Sequence, residues 1–138
     1  MRPDFSGDWI LNRAACTLSR GADAIKSATL RIEHQDPTFI YRAEFISDEG
    51  SRKVEYEMKS DGHKVVSSQG GMTITSSLSW KNASLVTRWH MRRPDGEMTI
   101  SFRHELLDEG RQLRAIEELR SDGHNQDNTW IFDRRSDG

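Results

Sequence analysis

The sequence has few features that would cross-link the chain or place it in a membrane. It contains one cysteine, Cys16, so no internal disulfide can form and the redox compartment stays undetermined. No apolar run approaches the roughly 18–20 residues of a membrane-spanning helix. The opening residues, MRPDFSG, lack the pattern of a signal peptide. We therefore expect a cytoplasmic protein, or a periplasmic or secreted one whose signal peptide has been removed.

An excess of charge of one sign is also missing. The 20 basic and 22 acidic residues are interspersed and give a net charge of −2. Nucleic acids and anionic membranes usually bind a basic patch, so neither is an expected partner. The sequence also lacks a G-x-S-x-G nucleophile motif, a phosphate-binding loop and the spacing of zinc ligands. No cofactor is therefore predicted.

The sequence does have a two-residue alternation of apolar and polar side chains, interrupted by turn residues about every ten positions. Pairs such as Asp61-Gly62 and Asn82-Ala83 favour tight turns because Gly, Asn and Asp tolerate positive φ. Residues 13–27 favour a loop with one short helical turn. A length of 138 residues fits one domain, 1–138. Ten strands are predicted, near residues 7–12, 28–35, 38–47, 51–59, 63–68, 72–80, 84–93, 97–107, 111–120 and 127–135.

Two-residue hairpin loops at these turns keep the apolar side chains on one face of every strand. Because a slip of one residue would invert a strand, this agreement predicts one antiparallel meander with a common inner face. A meander of eight to ten twisted strands usually closes into a barrel, whose interior is filled or holds one small ligand. The predicted facing pairs are Ala43–Tyr56, Phe45–Val54, Met58–Val65, His63–Ser76, Ser76–Trp89, Leu78–Thr87, Trp80–Leu85, Thr87–His104, Trp89–Phe102, Met91–Ile100, Phe102–Glu117, His104–Ala115 and Leu106–Leu113.

The first strand, FSGDW, carries a Gly-x-Trp motif at Gly7 and Trp9, and the last strand, WIFDRR, ends in two arginines. Together with the meander, these residues resemble the calycins, the superfamily of lipocalins and fatty-acid-binding proteins. The first strand and the segment IEHQDP are also similar to uncharacterised bacterial lipocalin-like proteins. The resemblance implies an all-β, antiparallel up-and-down barrel of eight to ten strands. Fatty-acid-binding proteins place a helix pair between the first two strands, and segment 13–27 is too short and too poor in helical pattern to predict one here.

The Gly-x-Trp motif and a closing arginine are expected to seal one end of the barrel. Trp9 supplies a flat apolar surface, and a guanidinium can stack on it while donating to nearby carbonyls. Arg134 is favoured over Arg135 because Arg134 shares a strand face with Trp130 and Phe132. The alternative is that this arginine binds a ligand.

Polar side chains on the inner face are the candidates for chemistry. Glu117 is expected diagonal to His104 and within reach of it. Such a pair would share a hydrogen bond or a proton, which is also what a general acid–base pair requires. His34, His63 and His104 lie on different predicted strands, so no metal site is predicted. The candidate ligand-binding residues are Tyr56, Met58, His63, Ser76, Thr87, Trp89, Met91, Phe102 and Arg134.

Three functions stay open at this point. The first is a carrier or sensor that binds a small hydrophobic or amphipathic molecule inside the barrel. The second is an isomerase, cyclase or hydrolase in which His104 and Glu117 are the catalytic pair. The third is a filled barrel that acts through its surface. The sequence indicates neither the ligand nor the oligomeric state.

Overall fold

The structure, a computed structural model, describes residues 3–135. It confirms the predicted all-β, antiparallel up-and-down architecture, with ten strands in one continuous sheet. The strands are β1 (Gly7–Leu11), β2 (Ile25–Gln35), β3 (Thr38–Ser47), β4 (Gly50–Lys59), β5 (Val65–Gln69), β6 (Met72–Lys81), β7 (Ser84–Arg93), β8 (Gly96–Leu107), β9 (Gln112–Ser121) and β10 (His124–Arg134).

Burial alternates along the strands as the sequence pattern predicts. In β2, Ala28, Leu30, Ile32 and His34 are buried, and each residue between them is exposed. Successive side chains of a strand point to opposite faces, so one face of the sheet lines the interior and the other faces water. The inner face therefore carries the core.

The first strand joins the two ends of the chain, because β1 pairs with both β2 and β10. The strand order is β4-β3-β2-β1-β10-β9-β8-β7-β6-β5, so β4 and β5 form the two edges and do not pair with each other. The predicted Met58–Val65 pair is therefore wrong. The connection after β4 is held by the β2–β3 turn and by β6, since Ser60 N donates to Pro37 O (2.8 Å) and Gly62 N donates to Leu78 O (2.9 Å).

Three hairpins, β7–β8, β3–β4 and β5–β6, have a different register from the predicted one. Loop residues Pro94 and Asp95 join β7 to β8, and Gly96 begins β8 instead of occupying the turn. Proline favours the first central position of a tight turn, which moves the turn by one residue. The partner of each residue then shifts by two, so the inner face stays the same. The pairs are now Thr87–Phe102, Trp89–Ile100, Met91–Met98 and Leu85–His104 instead of the predicted ones.

The β3–β4 hairpin shifts in the same way. Gly50 begins β4, and Ala43 and Phe45 face Val54 and Arg52 instead of Tyr56 and Val54. The predicted His63–Ser76 pair is also wrong, because Ser76 faces Val65. The remaining pairs are confirmed, namely Ser76–Trp89, Leu78–Thr87, Trp80–Leu85, Phe102–Glu117, His104–Ala115 and Leu106–Leu113.

The connection between β1 and β2 contains two short turns of 3-10 helix, Arg13–Ala15 and Ala22–Ala24. Neither turn has a buried residue, and the helix pair of fatty-acid-binding proteins is absent, as expected. Thr17 forms a β-bridge with Thr129, which ties this connection to β10. Within residues 3–135, no helix has the length and apolar character that crossing a membrane requires.

The two ends of the barrel differ in packing. We call the end that holds Phe5, Trp9 and Arg134 the closed end, and the end with the β3–β4 and β9–β10 turns the open end. The closed half is filled by side chains with almost no exposed surface: Phe5, Trp9, Ile32, Phe39, Leu78, Leu85 and Leu113. This packing leaves the open half as the place for a ligand.

Candidate functional site

The closed end is sealed by a stack of Arg134 on Trp9. The guanidinium carbon lies 4.2 Å from the Trp9 ring centroid. Arg134 Nη1 donates to Ser6 O (2.7 Å), and Arg134 Nε donates to Gly110 O (2.8 Å). Gly7 has φ +144°, and a Cβ there would collide with the guanidinium. The structure thus shows why a glycine precedes the tryptophan: the arginine occupies the space of its side chain.

A polar cluster next to this seal is held by its own hydrogen bonds. The Phe5 amide donates to His34 Nδ1 (3.2 Å). Asp36 Oδ1 accepts from Ser60 Oγ (2.6 Å) and from Trp80 Nε1 (2.9 Å). The His34 ring lies 5.7 Å from the Trp80 ring. These contacts tie the N-terminal segment to β2 and β6, so His34 stabilises the closed end.

The open half contains a cavity of about 340 Å³ inside the barrel. Its wall is mainly apolar and aromatic, with a few polar groups. The apolar members are Ala22, Ile25, Tyr41, Phe45, Val54, Phe102, Ala115, Trp130 and Phe132. The others are Gly21, Arg52, Glu117, Gln126 and Asn128.

Glu117 is the carboxylate of this cavity, and its position is fixed on one side. Its Oε1 accepts from Trp130 Nε1 (3.0 Å) and Asn128 Nδ2 (3.1 Å). Asn128 Oδ1 in turn accepts from the Ser19 amide (2.6 Å) and the Ser19 hydroxyl (2.8 Å). Within residues 3–135, no group donates a hydrogen bond to Glu117 Oε2. The oriented carboxylate therefore keeps one oxygen available to a bound molecule.

Aromatic rings adjoin the cavity in a continuous cluster. The Tyr41 and Tyr56 rings stack at 4.7 Å, and the Trp89 ring meets Tyr56 edge-on at 5.2 Å. Burial raises the pKa of both tyrosines, and the negative charge of Glu117 raises the pKa of Tyr41 further. Both phenols are therefore neutral at physiological pH, and Tyr41 lies close enough to Glu117 to sense its charge.

His104 is buried behind this cluster and is not among the cavity-lining residues. Its ring lies about 6 Å from the rings of Phe39, Tyr41 and Phe102. Burial lowers the pKa of His104 to about 4, so the imidazole is neutral, and Nδ1 has no hydrogen-bond partner within residues 3–135.

Within residues 3–135, the expected hydrogen bond between His104 and Glu117 is not formed, although the two residues keep their diagonal register on β8 and β9. Glu117 directs its hydrogen bonds to β10 and faces Phe102 on β8. His104 faces Ala115 on β9 and Leu85 on β7, where the two-residue register shift places it. The structure thus does not assemble the acid–base pair on which the enzyme hypothesis depends.

The remaining predicted ligand-binding residues are spread over the barrel. Of that set, Phe102 lines the cavity. Tyr56, Thr87 and Trp89 lie on the inner face beside it, and Met58 packs against the core. Ser76 and Met91 are half-buried further along the inner face.

Two predicted residues lie away from the cavity. The His63 side chain, 85% exposed, precedes β5 instead of lining the interior. The connection between β4 and β5 carries it outward, since no strand pairing holds residues 60–64. Arg134 is at the closed end, opposite the cavity.

Several cavity residues were missed from the sequence, above all Tyr41, Phe45, Asn128 and Trp130. The sequence pattern could have assigned them to the interior, because Asn128 and Trp130 alternate with Phe132 and Arg134 on one face of β10. Tyr41 and Phe45 likewise alternate with Ala43 on β3. The alternation assigns these residues to the interior but does not indicate which part of the interior is empty.

The sequence matches no protein-family model and no curated protein. Solved structures are similar in shape over almost the whole chain. Human cRBP IV has a TM-score of 0.60 at 17% identity, covering 96% of this chain and 99% of that one. The zebrafish ileal bile acid-binding protein complexed with cholic acid has a TM-score of 0.59 at 11% identity, covering 95% and 98%.

A Schistosoma mansoni fatty acid binding protein in complex with arachidonic acid has a TM-score of 0.56 at 12% identity, covering 96% of each chain. At such identities the likeness establishes the fold alone. The chain therefore has the calycin-like β-barrel fold of the fatty-acid-binding proteins.

Proposed function

We propose that this protein binds a small hydrophobic or amphipathic molecule in the cavity of its open half, as a carrier or sensor. The observation that carries the proposal is the 340 Å³ cavity with an aromatic wall and one oriented carboxylate. Ligand pockets are typically about 300–1,000 Å³, mostly apolar, with a few polar groups that fix orientation. This cavity has each of these properties.

The structural neighbours support the same proposal. Two of them are named for complexes with cholic acid and with arachidonic acid, molecules with large apolar bodies. Those ligands belong to those proteins, but they show that a barrel of this shape accommodates such a body. A closer place among bacterial lipocalin-like proteins stays a prediction from the first strand and the IEHQDP segment.

One part of the cavity wall comes from the β1–β2 connection, which is a route by which a ligand could enter. Gly21 and Ala22 contribute to its wall from the β1–β2 connection, and Ile25 contributes from the start of β2. The 3-10 turn Ala22–Ala24 has no buried residue, and a segment with few buried contacts opens at lower cost than the paired strands. We propose that a ligand enters beside this turn.

The test is binding of a neutral probe, 1-decanol, followed by isothermal titration and by amide chemical shifts of the lining residues. Ala115 lines the cavity, so Ala115→Phe fills part of it and is expected to lower the affinity about tenfold or more. The matched control is Ile116→Phe on the outer face of the same strand, which should leave binding unchanged. Equal binding by both variants, or shifts confined to the outer surface, would contradict the proposal.

A further inference from the structure

We propose that the molecule bound in this cavity is an organic ammonium ion: an apolar body with a protonated amine that pairs with Glu117. The inference rests on the proposed function and adds the chemical class of the ligand. It follows from which charges face the cavity, from the rings around them and from the fixed geometry of the carboxylate.

The charge inside the cavity is negative. Glu117 and Arg52 are the ionised residues of its wall, and they lie at different depths. Arg52 stands near the start of β4 and is exposed to water, which places it at the rim. Glu117 is half-buried in the middle of β9 and forms no ion pair with residues 3–135. His104 is neutral, and among residues 3–135 the basic residue that lines the cavity is Arg52 at the rim.

The Glu117 carboxylate keeps one oxygen without a donor among residues 3–135, and a ligand can supply a cation to it. Transfer of an ionised group out of water is unfavourable unless it is paired or hydrogen-bonded. The hydrogen bonds from Trp130 and Asn128 compensate Oε1, and Oε2 has no such donor within residues 3–135. An ammonium group that reaches Oε2 would form a charge-assisted hydrogen bond, which is stronger than one between neutral groups.

The aromatic wall favours the same class of ligand. Tyr41, Phe45, Phe102 and Trp130 line the cavity together with Glu117. The faces of aromatic rings carry negative charge density and attract ammonium ions, most strongly where water is excluded. A carboxylate head group would be repelled by Glu117 and would gain no attraction from a ring face. The inner wall therefore selects a positive head group over a negative one.

The experiment compares three probes that share a ten-carbon tail at pH 7: decylamine and decanoate, each below its critical micelle concentration, and 1-decanol, below its solubility limit. The wild-type protein is expected to bind decylamine about tenfold more tightly than 1-decanol, the usual worth of a hydrogen bond to a charged group. Decanoate is expected to bind most weakly. Isothermal titration gives the three affinities, and this ranking needs no variant.

The variant Glu117→Gln keeps an oxygen to accept from Trp130 and Asn128 and removes the charge. It is expected to bring the decylamine and 1-decanol affinities within about twofold of each other. Glu118→Gln is the matched control, because Glu118 is the next residue of β9, is exposed, and pairs with Arg120 (3.4 Å) on the outer face. That control should keep the wild-type ranking. A urea-unfolding curve for each variant reports whether it is folded.

The outcomes separate this inference from the proposed function. If 1-decanol or decanoate binds as tightly as decylamine, and Ala115→Phe still weakens them, the cavity binds ligands and the ammonium assignment is wrong. Decanoate binding that is strongest and is lost in Arg52→Gln would also overturn the assignment, because the head group would then lie at the rim. If none of the three probes binds, the proposed function fails, and the ammonium assignment fails with it.

Discussion

The closed and open ends of the barrel are lined by the same alternating pattern and yet are packed differently. At the closed end Phe5, Trp9 and Phe39 have almost no exposed surface. Towards the open end the inner face continues with half-exposed side chains such as Trp89 and Met91. On edge strand β5, Val65 and Val66 are 62% and 63% exposed. The comparison teaches that one end supplies the stability that allows the other to stay partly empty.

The largest expected effect comes from removing the side chain at the centre of the closed end. Trp9→Ala should lower the free energy of unfolding by about 3–5 kcal/mol, because a fully buried tryptophan leaves a cavity that its neighbours do not refill. Urea denaturation gives the value. Trp89→Ala is the matched change in the open half. It should lower the free energy of unfolding clearly less, because the Trp89 side chain is only partly buried. Equal losses for the two variants would remove the distinction between the ends.

A second effect concerns His104, which is packed with the closed half and shielded from water. Burial holds its pKa at about 4 in the folded state, whereas an unfolded histidine titrates near pH 6.5. The unfolded chain therefore binds the proton first, and stability is lost as the pH falls from about 6.5 towards 4. Between pH 7.5 and pH 5 the expected loss from this residue is about 2 kcal/mol.

The measurement for His104 is the unfolding free energy at several pH values, with His104→Leu as the comparison. The leucine variant should lack this component of the pH dependence. A variant that loses stability with acid as steeply as the wild type would mean that water reaches His104, and the open region would then extend deeper than the structure shows.

A smaller effect is expected at the seal itself. Arg134→Gln removes the stack on Trp9 and the charged hydrogen bonds to Ser6 O and Gly110 O. Because the arginine is exposed, the expected loss is about 1–2 kcal/mol, measured by thermal or urea unfolding. Arg135→Gln is the control, since the Arg135 backbone amide, and not its side chain, bonds to Asp8 O. If both variants lose the same stability, the stack does not contribute specifically.

The sequence was sufficient for the strands and for their inner faces. The period-two pattern and the turn residues predicted ten strands within a few residues of their observed bounds. The faces survived even where the register was wrong, because moving a turn by one residue shifts each partner by two. The resemblance to the calycins placed Arg134 over Trp9, and the structure shows their contact.

The site was predicted less well, and the reason is geometric. The predicted contact of His104 with Glu117 depended on a diagonal reach between strands, and Glu117 bonds instead to Asn128 and Trp130 on β10. His63 was assigned to the interior by pairing it with Ser76, whereas the β5–β6 turn lies one residue later and Ser76 faces Val65. The alternation of apolar and polar residues predicts on which face of the sheet a side chain lies, but it does not predict which side chain it contacts.

By itself the sequence determined that the chain forms an alternating antiparallel meander, because polar–apolar periodicity and turn chemistry act between residues close in the chain. The tertiary structure decided where the barrel is full and where it is empty. That depends on how side chains from distant strands fill a shared volume, with Trp9 and Phe39 filling one end and Glu117 held at the wall of the other. Packing of this kind depends on the whole barrel, so the sequence of a single strand does not determine it.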